Sequence, residues 1–159
     1  MKTIHLIRHA DTLPGTPDID RALSQVGHQE CVAMVNRLRS VGFEFAETHV
    51  SIACRARETA QSLAQEIGHE VEWQLDQTLY TFQWPQLLTW LESRDEHADE
   101  VTLIGHNPAV SELAEFLTGE RMAQVPTCSF LKICAYVGQW RDLYRECGQL
   151  VEFLYPGQA

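Results

Sequence analysis

A chain of 159 residues, 45% hydrophobic and 21% charged, has the length and composition of one globular domain spanning 1–159. Its net charge of −10 argues against nucleic acid or an anionic membrane as partner, since either would call for a broad basic surface. Any cationic site must therefore be a local concentration of arginine, lysine and histidine. No stretch approaches the roughly 20 apolar residues of a membrane span, and "MKTIHLIRH" carries no signal-peptide cleavage site. The odd set Cys31, Cys54, Cys128, Cys134 and Cys147, without CxxC spacing, reads as reduced thiols and points to a cytoplasmic protein.

In chain order, Lys2–Arg8 is β-branched-rich and reads as a strand. Ser24 caps a predicted helix to about Ser40, with Val32, Val35 and Leu38 at helical spacing and Gly42 beyond its end. "ETHVSIA" reads as a second strand and Arg55 to about Ile67 as a second helix closed by Gly68. "EVEWQ" is a short strand, and Trp84, Leu87, Leu88 and Leu91 stand at i, i+3, i+4 and i+7 of a third helix. "EVTLIGH" is another strand, leading to "NPAVSELAEFL" with Asn107 as N-cap and Pro108 as first helical residue. "SFLKICAYV" and "QLVEFLY" read as antiparallel strands. The alternation implies an α/β three-layer sandwich: a mostly parallel central sheet, helices on both faces and an antiparallel C-terminal part.

In such sheets ligands gather at the carboxyl ends of the strands. Arg8 and His9 end the first strand, Arg55 follows the second, His106 follows "LIG", and Arg21 lies just before the capped helix. Five cationic or potentially cationic side chains thus fall at one crevice, although the chain holds only 12 Lys plus Arg. A phosphoryl group suits them. Guanidinium forks match its oxygens in pairs, and a helix start adds peptide donors. A unit-charge pair at about 4 Å is worth roughly 4 kcal/mol at an effective dielectric near 20. A neutral imidazole can in addition attack phosphorus and form a phosphohistidine; His9, beside Arg8 at the strand tip, is the candidate nucleophile, and His106 a stabiliser of the transferring oxygens.

"LIRHAD", "RALSQVG", "SIACRARETA" and "LIGHNP" resemble the successive motifs of the histidine phosphatase (phosphoglycerate-mutase-like) superfamily, most closely its short SixA-type phosphohistidine phosphatase branch. The resemblance runs from Thr3 to about Leu117. It implies that His9 is phosphorylated, that Arg8, Arg55 and His106 bind the phosphate, and that Arg21 lies near the pocket. It implies no cofactor and no metal. Departures are Ala10 for the usual glycine after Arg-His, and Ile52 for the proline of the second motif. The general-acid carboxylate of the phosphomonoesterase and mutase branches has no clear match; Asp76 is the nearest candidate, with Asp11 behind it.

The expected function is a metal-independent phosphatase acting on phosphohistidine of a protein, because no insertion between the motifs could build a lid over a metabolite. The alternatives are a small-molecule phosphomonoesterase and a non-catalytic phosphate-binding module. His5 and His9 share an H-x-x-x-H spacing, but on a strand such a pair does not converge on a metal. His28, His49, His69 and His97 read as solvated, "ESRDEHADE" as a charged surface turn, and Trp73, Trp84 and Trp90 as packing. Tyr80 is placed at the pocket's edge.

Overall fold

The computed structural model describes residues 1–67 and 72–158; Gly68 and His69, read above as helix stop and solvated side chain, lie outside them. Strand β1 (Lys2–Arg8) is the spine of the molecule. It pairs in parallel with β4 (Glu100–Gly105) and antiparallel with β5 (Phe130–Ala135). Strand β2 (Thr48–Ser51) lies parallel to β4 and to β3 (Trp73–Asp76), while β6 (Gly148–Leu154) runs antiparallel to β5. The order β3-β2-β4-β1-β5-β6 keeps the parallel strands together and puts the antiparallel pair at one edge.

Alternation along the inner strands divides the core. Ile4, Leu6, Val101, Leu103, Leu131 and Ile133 face α3 (Trp84–Glu92) and α4 (Ala109–Thr118). Ile7, Ile104, Val50 and Phe130 face α1 (Gln25–Ser40) and α2 (Cys54–Ile67). Strands covered on both sides explain why β1 and β4 read as near-continuous apolar runs. Each fully buried large side chain contributes about 1.5–3 kcal/mol, so the inner strands hold the layers together.

Most predicted elements form where expected, and the differences have local causes. Helix α4 begins at Ala109, with Pro108 in the capping position, one residue later than expected. Asn107 still caps through its side chain, whose Oδ1 accepts from the Ser111 amide at 3.2 Å. His49 is not solvated. It lies on an interior strand, is 4% exposed, and meets the Trp90 ring edge-on at 4.9 Å. The "ESRDEHADE" turn also does more than face water. Lys2, only 1% exposed, drives its ammonium into the turn, donating to the Glu96 and Ala98 carbonyls and to Asp99 Oδ1 at 3.0–3.1 Å.

Ser24 caps α1 by accepting the Gly27 amide at 3.0 Å, as read from sequence. The glycine itself is required by close approach: a Cβ there would stand 2.2 Å from the Asp11 carbonyl oxygen. That contact clamps the loop after β1 onto the start of α1. Gly27→Ala would gain about 1 kcal/mol of helix propensity, but backbone cannot yield as a side-chain tip can, and overpacking typically costs about 1–3 kcal/mol. The expected outcome is a net loss of stability, read as a lowered urea midpoint at unchanged slope.

Candidate active site

Three neighbouring strand ends converge at the carboxyl edge of the sheet. Arg8 closes β1, opposite Gly105 of β4. His9 is fixed one residue beyond by its amide, which donates to the Gly105 carbonyl at 3.1 Å, and by its carbonyl, which accepts from Cys128 at 3.0 Å. His106 follows β4 directly. Arg55 sits in the first turn of α2, just after β2, and is 2% exposed.

The imidazole of His9 has one tautomer open to it. Nδ1–H donates to the Ala10 carbonyl at 2.7 Å, which leaves Nε2 unprotonated. Arg55 Nε–H points at the Nε2 lone pair from 3.3 Å. Burial, together with Arg55, Arg8 and Arg21, outweighs the Ala10 bond and lowers the His9 pKa to about 4. At neutral pH the ring is therefore uncharged, as a nucleophile must be.

The His106 ring lies 5.2 Å from that of His9. Ser51 Oγ accepts the Ala53 amide at 3.3 Å and, with its O–H and a second lone pair, pairs with His106 Nε2 at 2.7 Å in either tautomer of the ring. Burial, then His9 and Arg55, lower the His106 pKa to about 3. Among the described residues, two buried side-chain polar atoms lack a partner: His106 Nδ1 and Arg8 Nε. Arg8 Nε–H is a donor, His106 Nδ1 is one when it carries the ring proton, and a buried polar atom left unpaired costs about 1–3 kcal/mol. Arg8 is aimed by its Nη1–H, which donates to the Val125 carbonyl at 2.7 Å.

Sequence reasoning missed Asp18. It lies in a 3-10 turn, Asp18–Asp20, in the loop between β1 and α1. Its Oδ2 accepts from Arg55 Nη2 at 3.0 Å and from the Tyr80 hydroxyl at 2.6 Å, its Oδ1 from Arg21 Nη1 at 3.2 Å, and its carbonyl from Arg55 Nη1 at 2.8 Å. The Tyr80 hydrogen bond, with those from Arg55 and Arg21, outweighs burial and lowers the Asp18 carboxyl to about 2. The only sequence signal was an acid three residues before Arg21. Arg21 spends its other donors on the Leu13 carbonyl and Thr12 Oγ1, so it braces this loop. Tyr80 stands at the pocket's edge, its ring 5.4 Å from that of His106.

The two carboxylates considered as acids are engaged elsewhere. Asp76 accepts the Trp90 indole N–H at 2.7 Å and the Thr78 amide at 2.8 Å; burial raises its pKa, but these bonds prevail and hold it below the ordinary value. Asp11 accepts from Ser24 Oγ at 2.6 Å. His5 does not join His9: it packs against Phe43 and Phe130, with ring centroids 5.1 and 5.3 Å away.

A buried neutral imidazole, with arginines and a second histidine gathered round it at the ends of parallel strands, makes up the candidate site. The sequence profile of the histidine phosphatase superfamily (branch 1) matches residues 4–127, and the chain belongs to that superfamily. No curated protein matches it. Among solved structures, the protein histidine phosphatase SixA complexed with tungstate superposes with a TM-score of 0.80 at 21% identity, covering 97% of each chain. A putative phosphohistidine phosphatase SixA from Nakamurella multipartitia gives 0.84 at 21%, covering 99% of this chain and 97% of its own. A putative alpha-ribazole-5'-P phosphatase from Escherichia coli gives 0.68 at 15%, covering 92% and 98%. These likenesses establish the fold.

The depressed histidines make stability depend on pH. His5, lowered to about 4 by burial and Lys132, joins His9 at about 4 and His106 at about 3. All three titrate near 6.5 when unfolded. Between pH 6.5 and 4 the unfolded chain thus binds protons that the folded one refuses, and stability falls as pH falls. Asp18 is lowered too, and acts in the same direction at lower pH: its contribution, present above its unfolded value, is lost as pH drops towards about 2. Urea unfolding at pH 7, 5.5 and 4.5 should show a steadily declining midpoint.

Proposed function

We propose that this protein is a phosphohistidine phosphatase of SixA type, acting without a metal ion on phosphohistidine of a protein partner. The observation that carries the reading is a neutral His9, its Nε2 unprotonated and met by Arg55 Nε–H, together with two buried atoms without partners, Arg8 Nε and His106 Nδ1, which as N–H donors would hold phosphoryl oxygens. In the first step Nε2 attacks phosphorus, the bond from phosphorus to the leaving group breaks, and the leaving group keeps the electron pair. The positive charge that develops on His9 is met by the Ala10 carbonyl at Nδ1–H. Water then attacks the phosphohistidine, the P–Nε2 bond breaks, and orthophosphate leaves a neutral imidazole.

The arginines and His106 stabilise the charge that a divalent ion supplies in other phosphatases. The leaving-group chemistry favours a phosphoramidate over an ester. Asp18, held ionised at about 2, has no proton to give at neutral pH, and Asp76 and Asp11 are tied up elsewhere. An alkoxide needs a proton as it leaves, whereas an imidazole can carry its own. General-acid help is typically worth about 10²–10⁴-fold, which is the expected penalty on alkyl phosphates.

The direct test is brief exposure to a ³²P-labelled phosphohistidine protein in excess chelator. Acid-labile, base-stable label on native enzyme, absent in His9→Ala, is the expected result. Label on serine, aspartate or cysteine would refute the nucleophile, and failure to label unless a divalent ion is restored would refute metal independence. A phosphorylated-substrate panel measures preference: an alkyl ester cleaved faster than phosphohistidine would make the protein a small-molecule phosphomonoesterase.

Arg55→Ala should lower kcat/KM by about 10²–10³-fold, as losing one preorganised donor to transition-state charge does elsewhere. Arg55→Lys should recover little. One ammonium cannot donate to His9 Nε2 while also holding the carbonyl and Oδ2 of Asp18. Activity of either variant within a few-fold of native would remove Arg55 from the clamp.

A further inference from the structure

Phe82 is a large apolar side chain left beside the phosphate clamp for no reason of folding. It is 43% exposed and belongs to neither core cluster. Its mounting is nonetheless rigid. Leu79 and Thr81, just before it, are buried, and Thr81 Oγ1 accepts the Gln83 amide at 3.1 Å. The ring stands edge-to-face with His106 at 5.6 Å and with Tyr80 at 5.9 Å. Across from it, through Tyr80, lies the Asp18 carboxylate, whose Oδ1 accepts a single hydrogen bond, from Arg21.

In-line displacement sends the leaving group away from His9 Nε2 and out towards solvent, to which both Phe82 and the Asp18 side chain are 43% exposed. A flat apolar ring and a carboxylate with a free lone pair describe a specific visitor. The ring takes a planar group on its face, better still a cationic one; the carboxylate takes an N–H at that group's rim. We propose that Phe82 and Asp18 form a leaving-group subsite that selects a protonated heteroaromatic ring, the imidazolium of phosphohistidine. This rests on the substrate reading above and deepens it. A sugar or glycerol alkoxide offers neither a face for Phe82 nor a cation for Asp18. The subsite also accounts for a carboxylate beside a phosphate clamp: it repels an all-anionic substrate and accepts one whose leaving group is positively charged.

The test compares kcat/KM for a phosphohistidine peptide with that for phosphoramidate, which has the same P–N bond and no ring. Phe82→Leu keeps apolar bulk and removes the aromatic face, and should lower the peptide-to-phosphoramidate ratio about three- to tenfold, in keeping with a single cation–π or ring–ring contact. Phe82→Trp should preserve the ratio. Asp18→Asn should raise KM for the peptide while lowering it for acetyl phosphate, an all-anionic substrate with a good leaving group, because a negative charge beside the phosphoryl group has gone. A merely structural role for Asp18, through the positioning of Arg55, would raise both. An unchanged ratio in Phe82→Leu, or equal loss on both substrates, overturns the ring subsite alone. Native enzyme that cleaves phosphoramidate but not the peptide overturns the substrate reading itself, and the imidazolium with it.

Discussion

The buried charge of Arg55 governs the rest of the site. A guanidinium cannot shed its proton to escape burial, as a lysine or histidine can. Its neighbours must adjust, and they do so in two ways. Asp18 supplies acceptors through its carboxylate and its carbonyl. The two histidines give up their protons instead, to about 4 and about 3, with burial and Arg55 among the causes in both. Behind burial, one cation thus helps to hold the His9 ring neutral; it also aims a donor at the Nε2 lone pair and, behind the Tyr80 hydroxyl, helps to keep the Asp18 carboxyl ionised.

The sheet makes that placement rigid. Parallel pairing of β1 with β4 sets Arg8 level with Gly105, so the residues just beyond, His9 and His106, leave the sheet side by side. The next parallel strand, β2, ends in Ser51, which reaches across to the His106 ring. Backbone bonds continue the frame past the strands: the His9 amide is bound to Gly105, and the loop before β5 is bound to the His9 carbonyl. That same loop offers the Val125 carbonyl to both Arg8 and Asn107. A catalytic ring carried on a free loop would need side-chain bonds to orient it; here the ladder and its extensions orient both rings.

Sequence made the strand-end residues legible because parallel sheets gather ligands at one edge, so Arg8, His9, Arg55 and His106 could be brought together without coordinates. The sheet's antiparallel flank was readable too, from two alternating runs without a helix between them. What stayed hidden depended on side-chain reach. Asp18 lies in an irregular loop, and nothing in "TPDID" tells that its carboxylate spans to Arg55 and to Tyr80, 62 residues on. Ser51 looked like part of a motif rather than the hydrogen-bond partner of the His106 ring. His49 looked solvated because a single polar residue on a short strand carries no sign of which helix will cover it; Trp90 does. Asp76 attracted attention by its neighbourhood in sequence, yet the Trp90 indole had already claimed it.

The absence of a proton donor among the three carboxylates considered has the same origin as the site's strength. To serve as a general acid near neutral pH a carboxyl must sit in surroundings that disfavour its ionised form. Around this clamp the surroundings do the reverse: Tyr80, Arg55 and Arg21 all favour the Asp18 anion. Raising that pKa would mean withdrawing the hydrogen bonds that keep Arg55 satisfied in its buried position. Tight anion handling and enzyme-borne acid catalysis therefore compete for the same residue, and the structure resolves the competition in favour of the clamp. On the proposed function, the proton for the departing group then travels with the substrate, which favours leaving groups that carry one or do without.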